Sequence, residues 1–216
     1  PGSQVELIQN IAELGKPFII DIISSKPLIL PPCASKASAI IQQFSPGMQG
    51  GAAFDKIIFG EEEPRGKLPI SIPHHSGQNP CYYQQARGTH GRNYADLKNV
   101  AKYPFGFGLS YTQFALNSAS LNKIKFRKDE TIVVSIDVEN IGDRKGTEIV
   151  QCYIYDELTS VVWVDKELKG FAAVELNPGE KKTVTITIDA KDCSIVNSEA
   201  KRVVESGTFK ALIGTS

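Results

Sequence analysis

Apolar residues in the first seventy positions recur alternately at helical and at strand spacing. From Ser3 onward they are spaced three and four residues apart, which predicts a helix that Ser3 caps and Gly15 ends. Residues 18–23 are almost all apolar and predict a short buried strand. Three further elements follow in the pattern, namely helices over residues 34–44 and 50–59 and a short strand over residues 68–72. This succession is typical of a parallel α/β sheet with helices on its faces.

Two strands are too few for an independent parallel sheet, because such a sheet needs more strands to bury its faces. The chain also begins with Pro1 and Gly2, without an initiator Met or a signal segment. The first residues are explained either by a removed signal or tag or by a chain that is a piece of something longer. The incomplete sheet is explained by strands missing upstream or by packing on something absent from the chain, so both observations favour truncation.

The pattern changes to period two from about residue 116. Strands are predicted over residues 131–138, 149–155, 183–188 and 209–213, with turn sequences rich in Asn, Gly and Pro between them. About seven short strands in about 100 residues indicate an immunoglobulin or fibronectin III-like β-sandwich. Residues 73–115 have no clear periodicity and are predicted as a long loop and linker. The expected fold class is therefore α/β plus all-β.

The charge balance excludes several classes of partner. The chain of 216 residues has 24 Lys and Arg against 24 Asp and Glu, so it has no net field to attract nucleic acid or an anionic membrane surface. No apolar run reaches the roughly 18 residues that a membrane helix needs. We therefore expect no nucleic-acid partner and no membrane span. The acidic run Glu61-Glu62-Glu63 is interpreted as a solvated face.

Metal and cofactor chemistry lacks a sequence signal. The cysteines are far apart, with no CxxC pair and no His/Cys cluster, so we expect no metal site and no disulfide framework. Four reduced, mostly buried thiols slightly favour a cytoplasmic location and leave the compartment open. No P-loop, HExxH motif, dinucleotide fingerprint or nucleophile elbow occurs, and no cofactor is predicted.

The long loop contains a mixture of aromatic and charged residues that suits sugar recognition. Rings stack on the apolar faces of sugars, and charged groups hydrogen-bond to hydroxyls. The same mixture suits a loop that only packs between two domains, and the residues alone leave both interpretations open. The candidate substrate-binding residues are Tyr82, Tyr83, Arg87, Arg92, Tyr94 and Asp96, with His90 beside them.

Several segments resemble the C-terminal part of glycoside hydrolase family 3, which comprises β-glucosidases and β-xylosidases. Residues 45–73, SPGMQGGAAFDKIIFGEEEPRGKLPISIP, are similar to the family's PG-x-x-GG…LFG…P-x-G-x-LP-x-x-P block. Residues 103–114, YPFGFGLSYTQF, closely match its YPFGYGLSYT-x-F junction. Further resemblances are residues 15–28 (GKPFIIDIISSKPL), 140–156, 166–171 (KELKGF), 178–184 (PGEKKTV) and 203–214 (VVESGTFKALIG). The GQNPCYY segment of the loop resembles the bacterial β-glucosidases.

The resemblance implies an organisation and an activity. Residues 1–72 would be the C-terminal portion of an α/β sandwich domain, residues 73–115 a loop and linker, and residues 116–216 the fibronectin III-like domain. Such enzymes are retaining glycosidases that use a nucleophilic carboxylate and an acid/base carboxylate. The resemblance puts the first in a (β/α)8-type barrel and the second upstream of residue 1. It therefore implies no catalytic residue here, a chain inactive alone, and a substrate with a terminal β-D-glucosyl residue that binds through the missing barrel.

Two other interpretations remain open from the sequence. The β-sandwich could be a stand-alone module that binds carbohydrate or protein, with Trp163 as a stacking residue, although a core position is the expectation for Trp163. The chain could instead complete the active site of a separate barrel chain, or form a homo-oligomer. The sequence does not distinguish a glucoside from a xyloside or a longer β-glucan.

Overall fold

The computed structural model describes residues 2–88 and 95–215, which form two compact units. The first unit comprises Pro1–Glu62 and Ile72–Asn79, and the second comprises Glu63–Ser71 and Pro80–Ser216. The α/β plus all-β class is confirmed by the first unit's parallel strands and the second unit's antiparallel sheets. The predicted domain boundaries after residues 72 and 115 stay predictions.

The first unit combines two helices with a two-stranded parallel sheet. Its elements are α1 (Gly2–Glu13), β1 (Ile19–Ile23), a 3-10 helix (Pro32–Lys36), β2 (Ala39–Phe44), a 3-10 turn (Gly47–Gln49), α2 (Gly50–Ile58) and a 3-10 turn (Ser76–Gln78). The backbone of Ile20 in β1 lies opposite that of Ile40 in β2. Gly15 ends α1 as expected, with a φ of 65° that a glycine adopts readily. Ser3 lies inside the first turn of α1 and does not cap it.

Two predicted elements of this half are wrong. Residues 34–44 are not a helix, since a 3-10 helix ends at Lys36 and β2 follows. A short apolar run does not distinguish helix from strand, and here the β-branched Ile40 and Ile41 pair with β1. Residues 68–72 are not a regular strand either, because Pro69 has no N–H to donate to a ladder. Instead Leu68 exchanges backbone hydrogen bonds with the segment around Phe107.

The second unit is a β-sandwich, as predicted. Its elements are β3 (Phe114–Leu121), β4 (Thr131–Asn140), β5 (Gly146–Asp156), β6 (Glu167–Leu176), β7 (Lys181–Asp189), a 3-10 helix (Ala190–Cys193), β8 (Ile195–Val196), β9 (Arg202–Val203) and β10 (Phe209–Gly214). One sheet has the order β3-β4-β7 and the other β10-β5-β6, and all neighbours are antiparallel. A short hairpin joins β8 to β9.

The core of the sandwich lies between these two sheets. Every second residue of β4 is buried, from Ile132 to Val138, because successive side chains of a strand point to opposite faces. Burial of each such aliphatic side chain stabilises the fold by about 1.5–3 kcal/mol. Strand β5 differs, because Gln151 and Tyr153 on its outer face are buried as well as Cys152 on its inner face. The residues that cover this outer face form the candidate site described below.

All four cysteines are free, and two of them are in the core. Cys152 and Cys193 are buried, and burial raises the pKa of the Cys152 thiol to about 11. Cys33 and Cys81 are only half-buried. No helix in the described part of the chain is long and apolar enough to span a bilayer.

Thiol labelling is expected to separate these two classes. A thiol reacts as its thiolate, so at pH 8 a buried thiol with a raised pKa reacts slowly. We expect a chromogenic disulfide reagent to modify Cys33 and Cys81 of the native chain at least about tenfold faster than Cys152 and Cys193. In urea, all four thiols should react at similar rates. Rapid modification of four thiols in the native chain would contradict the buried placement of Cys152 and Cys193.

Candidate functional site

An aromatic cluster covers the outer face of β5. The ring of Tyr83 stacks on that of Phe105, with centroids 4.1 Å apart and planes 14° from parallel. Both rings meet Tyr153 of β5 edge-on, at centroid distances of 6.2 and 6.5 Å. Such pairs contribute about 0.5–1.5 kcal/mol beyond the area they bury. Tyr83 therefore joins the loop to the β-sandwich, and burial raises the pKa of its hydroxyl.

A polar network continues from this cluster. The Tyr153 hydroxyl donates to Oε1 of Gln151 at 2.6 Å, and Nε2 of Gln151 donates to the carbonyls of Gly106 and Thr215 at 3.0 and 2.7 Å. Burial raises the pKa of Tyr153 to about 12, so this hydroxyl remains a neutral donor at ordinary pH. The junction segment around Gly106 is thus fixed to β5 by both ring packing and hydrogen bonds.

Arg87 fixes the loop to β5 a second time. Its guanidinium carbon lies 4.6 Å from the ring centroid of Tyr155, and Nη1 donates to the Glu157 carbonyl at 2.8 Å. A cation placed over a tyrosine ring in this way contributes about 0.5–2 kcal/mol. Nε and Nη2 of Arg87 are buried and have no hydrogen-bond partner in the part of the chain described. Burial raises the pKa of the neighbouring Asp156, and the charge of Arg87 partly opposes this shift.

The backbone on either side of Arg87 is also held. Ala86 forms an isolated antiparallel bridge with Val164. The Arg87 N–H donates to the Trp163 carbonyl at 3.2 Å, and the Asp165 N–H donates to the Gln85 carbonyl at 2.9 Å. Residues 85–87 therefore run antiparallel to residues 163–165 and are fixed to them by backbone hydrogen bonds.

The remaining candidate residues have different surroundings. Tyr82 is 65% exposed, and Asp96 is exposed as well. Arg92 and Tyr94, like His90, lie outside the described residues. Tyr83 and Arg87 thus both pack on β5, whereas Tyr82 and Asp96 lie at the surface. A role in sugar binding stays a prediction for each candidate residue.

Buried charges that have no signal in the sequence hold the segment before the loop. Lys67 pairs with Glu148 at 2.8 Å and donates to the Gly108 carbonyl at 2.9 Å, with side chains only 14% and 9% exposed. Glu63 accepts hydrogen bonds from the Thr147 N–H at 2.6 Å and from the Ser110 hydroxyl. The interpretation of the acidic run as a solvated face is therefore wrong for Glu63. No sequence signal distinguishes it from its exposed neighbours, because its partners come from distant positions.

Trp163 is half-buried, and its Nε1–H donates to Glu167 at 3.3 Å. It is therefore neither a fully buried core residue nor a freely exposed ring. Within residues 2–88 and 95–215, no group of three or more His, Cys, Asp or Glu side chains has the arrangement of a metal site. His75 instead caps a 3-10 turn, where its Nδ1 accepts from the Gly77 N–H at 3.1 Å.

Two family models match the chain. Residues 1–111 match the glycosyl hydrolase family 3 C-terminal domain, and residues 148–216 match a fibronectin type III-like domain. Together the two matches include residues from both compact units.

Relatives with stated activities match along nearly the whole chain. A putative β-xylosidase of Formosa agariphila is 37% identical over 100% of the chain and 28% of its own length. A periplasmic β-glucosidase of Salmonella typhimurium is 36% identical over 99% of the chain and 29% of its own length. The crystal structure of a β-glucosidase from Listeria innocua, in complex with isofagomine, superposes with a TM-score of 0.93 at 32% identity, over 100% of the chain and 32% of that enzyme. The chain thus spans less than a third of each of these relatives.

Proposed function

Because the chain belongs to glycosyl hydrolase family 3, we propose that it is the C-terminal part of a retaining glycosidase that removes terminal β-D-glucosyl residues. The observation that carries this proposal is the match of β-glucosidases along 99–100% of the chain, through both units. Retaining hydrolysis needs two carboxyl groups about 5–5.5 Å apart, one as nucleophile and one as acid/base. Residues 2–88 and 95–215 form only sheets of two or three strands, so this part of the chain contains no barrel. Both carboxylates then belong to the rest of the enzyme.

In this proposal the described residues act as a scaffold for a loop. Tyr83, Arg87 and Phe105 fix the start and the end of the loop on β5, and the loop between them approaches the sugar pocket. Tyr82 is the described residue best suited to touch substrate, because its ring is exposed beside a segment whose backbone is held. Asp96, Arg92 and Tyr94 are proposed as hydrogen-bonding partners of sugar hydroxyls.

A β-xyloside is the second candidate substrate. The Formosa agariphila relative favours it, since its match is as extensive as that of the β-glucosidases. A glucoside differs from a xyloside by one hydroxymethyl group. One such group in a pocket changes specificity by about 10–200-fold, so the two activities are readily separated by measurement.

The proposal is tested by comparing the 216-residue chain with a protein that carries a family 3 barrel upstream of it. We expect hydrolysis of an aryl β-glucoside by the longer protein, with β-glucose as the first product detected by NMR, and none by the chain alone. Activity of the isolated chain, or α-glucose as the first product, would contradict the proposal. Activity restored by mixing the chain with a separate barrel chain would favour assembly in trans over a continuous enzyme.

The proposed contact of Tyr82 with substrate predicts a change in binding. In the active protein, Tyr82→Ala should raise KM about 3- to 10-fold and leave kcat within about twofold, because a lost ring contact is worth about 0.5–1.5 kcal/mol. Tyr82→Phe should retain most of the affinity. Phe171→Ala, which removes another exposed ring on β6, is the matched control and should leave both constants unchanged. An unchanged KM for Tyr82→Ala would exclude the contact.

A further inference from the structure

A large open cleft lies on the β-sandwich, formed by elements distant in sequence. Its volume is about 990 Å³, at the upper end of the range of about 300–1,000 Å³ for ligand sites. Lys128 comes from the turn before β4, Lys169 from β6, Lys191 from the 3-10 helix after β7, and Arg202 from β9. The described lining includes one carboxylate, that of Asp192. Among the described residues, four cationic side chains thus line this concave surface against one acidic side chain.

The cations of the cleft differ in how far they are already neutralised. Lys169 pairs with Glu167 at 3.1 Å, and Lys191 pairs with Asp189 at 3.0 Å. Arg202 uses Nη1 on the carbonyl and hydroxyl oxygens of Ser194, at 3.4 and 3.3 Å. In residues 2–88 and 95–215, neither Arg202 nor Lys128 forms an ion pair with a carboxylate. These two side chains are exposed and keep their charge available for a ligand.

The rest of the lining indicates what kind of ligand fits. Its apolar part consists of Leu168, Val203 and Val204, and no aromatic ring is among the described lining residues. Neutral sugars and nucleobases are commonly bound by stacking on rings, which this cleft does not offer. Recognition must therefore rest on charge and hydrogen bonds. A guanidinium and a carboxylate match in a planar, bidentate geometry.

We propose that this cleft binds an acidic oligosaccharide, with uronate carboxylates paired to Arg202 and Lys128. The choice of a glycan as the polyanion rests on the proposed function, since an enzyme that acts on glycosides meets its substrates among other polysaccharides. The site lies entirely within the second unit and is separate from the loop on β5. Its role is to hold the protein on an acidic polymer while the enzyme removes terminal sugars nearby.

The test is calorimetric titration of the chain with tetragalacturonate at low salt. We expect a dissociation constant of about 0.1–1 mM and weaker binding as salt increases. The double variant K128Q/R202Q should bind at least about tenfold more weakly, because charged hydrogen bonds contribute about 1.5–3 kcal/mol each. The matched control K145Q/K182Q removes the same charge from exposed lysines outside the cleft and should bind like the unchanged chain.

Several outcomes would overturn the proposal. They are the absence of measurable binding, equal weakening by the control variant, and equal affinity for the methyl-esterified tetrasaccharide, which has no charge. Tighter binding of a sulfated tetrasaccharide would overturn the assignment to carboxylates, and equal binding of an oligonucleotide would overturn the assignment to a glycan. Circular dichroism of both variants verifies that they fold. Hydrolysis of an aryl β-glucoside by the longer protein is measured separately. If the unchanged chain does not bind tetragalacturonate while the longer protein hydrolyses the glucoside, this inference is rejected and the proposed function stands.

Discussion

Asn140→Ala is expected to lower the free energy of unfolding by about 4 kcal/mol, among the largest effects of any single substitution in the β-sandwich. The side chain is fully buried at the end of β4. Its Oδ1 accepts from the Thr112 hydroxyl at 2.7 Å and the Gly142 N–H at 3.1 Å. Its Nδ2 donates to the carbonyls of Arg144 at 2.7 Å and Leu176 at 3.0 Å. Alanine would leave buried donors and acceptors unpaired and open a cavity.

Urea unfolding followed by the fluorescence of the single tryptophan measures this loss, because Trp163 lies in the same unit. Asn140→Asp keeps both acceptor bonds but turns a carboxylate oxygen toward two carbonyls, so at pH 7 it should destabilise the chain about as much as alanine. Asn177→Ala is the matched control, since the side chain of this exposed turn residue bonds only to Glu180 among the partners described. It should lower the free energy of unfolding by less than about 1 kcal/mol. Equal losses for Asn140→Ala and Asn177→Ala would show that the buried network does not stabilise the fold as argued.

Periodicity predicted the β-sandwich well and the first unit less well, for one physical reason. Strand β4 alternates buried and half-buried positions from Ile132 onward, because one face packs on the core. Strand β2 mixes apolar residues with Gln42 and Gln43 without strict alternation, and its strand geometry depends on hydrogen bonds with β1, twenty residues earlier in the chain. A local pattern contains no information about such a partner. The resemblance to a known family added the organisation of the chain but not this element.

The candidate site was predictable in composition and not in geometry. The mixture of rings and charges in the loop was visible in the sequence, and so were its two interpretations. The stacking of Tyr83 on Phe105 and of Arg87 on Tyr155 joins positions 22 and 68 residues apart, which no spacing rule connects. The buried pair Lys67–Glu148 and the basic cleft are likewise formed by residues that are distant in sequence. Charged residues look alike in sequence, and only their placement distinguishes a solvated charge from a buried one.

Gly106→Ala is expected to destabilise the second unit by about 4 kcal/mol and to release the junction segment from β5. Gly106 has a φ of 84°, where an L-residue costs roughly 1–2 kcal/mol. An added Cβ would also overlap Oε1 of Gln151 and lie 2.8 Å from the Tyr153 hydroxyl. Gln151 would have to turn away and lose its buried hydrogen bonds with Tyr153 and Thr215, each worth about 1–3 kcal/mol when its partner is left unpaired.

Gly179→Ala separates the cost of backbone strain from the cost of the lost hydrogen bonds. Gly179 has a similar φ of 73°, and an added Cβ there meets nothing within 4 Å, so its substitution should cost only the backbone strain of roughly 1–2 kcal/mol. The difference between the two variants in urea unfolding then measures the hydrogen-bond network on β5. A second readout is proteolysis, since release of the junction should expose residues near 106 to cleavage in Gly106→Ala and not in Gly179→Ala. Equal stability of the two variants would contradict the argument, because it would mean that Gln151 accommodates a methyl group at Gly106 without loss of stability.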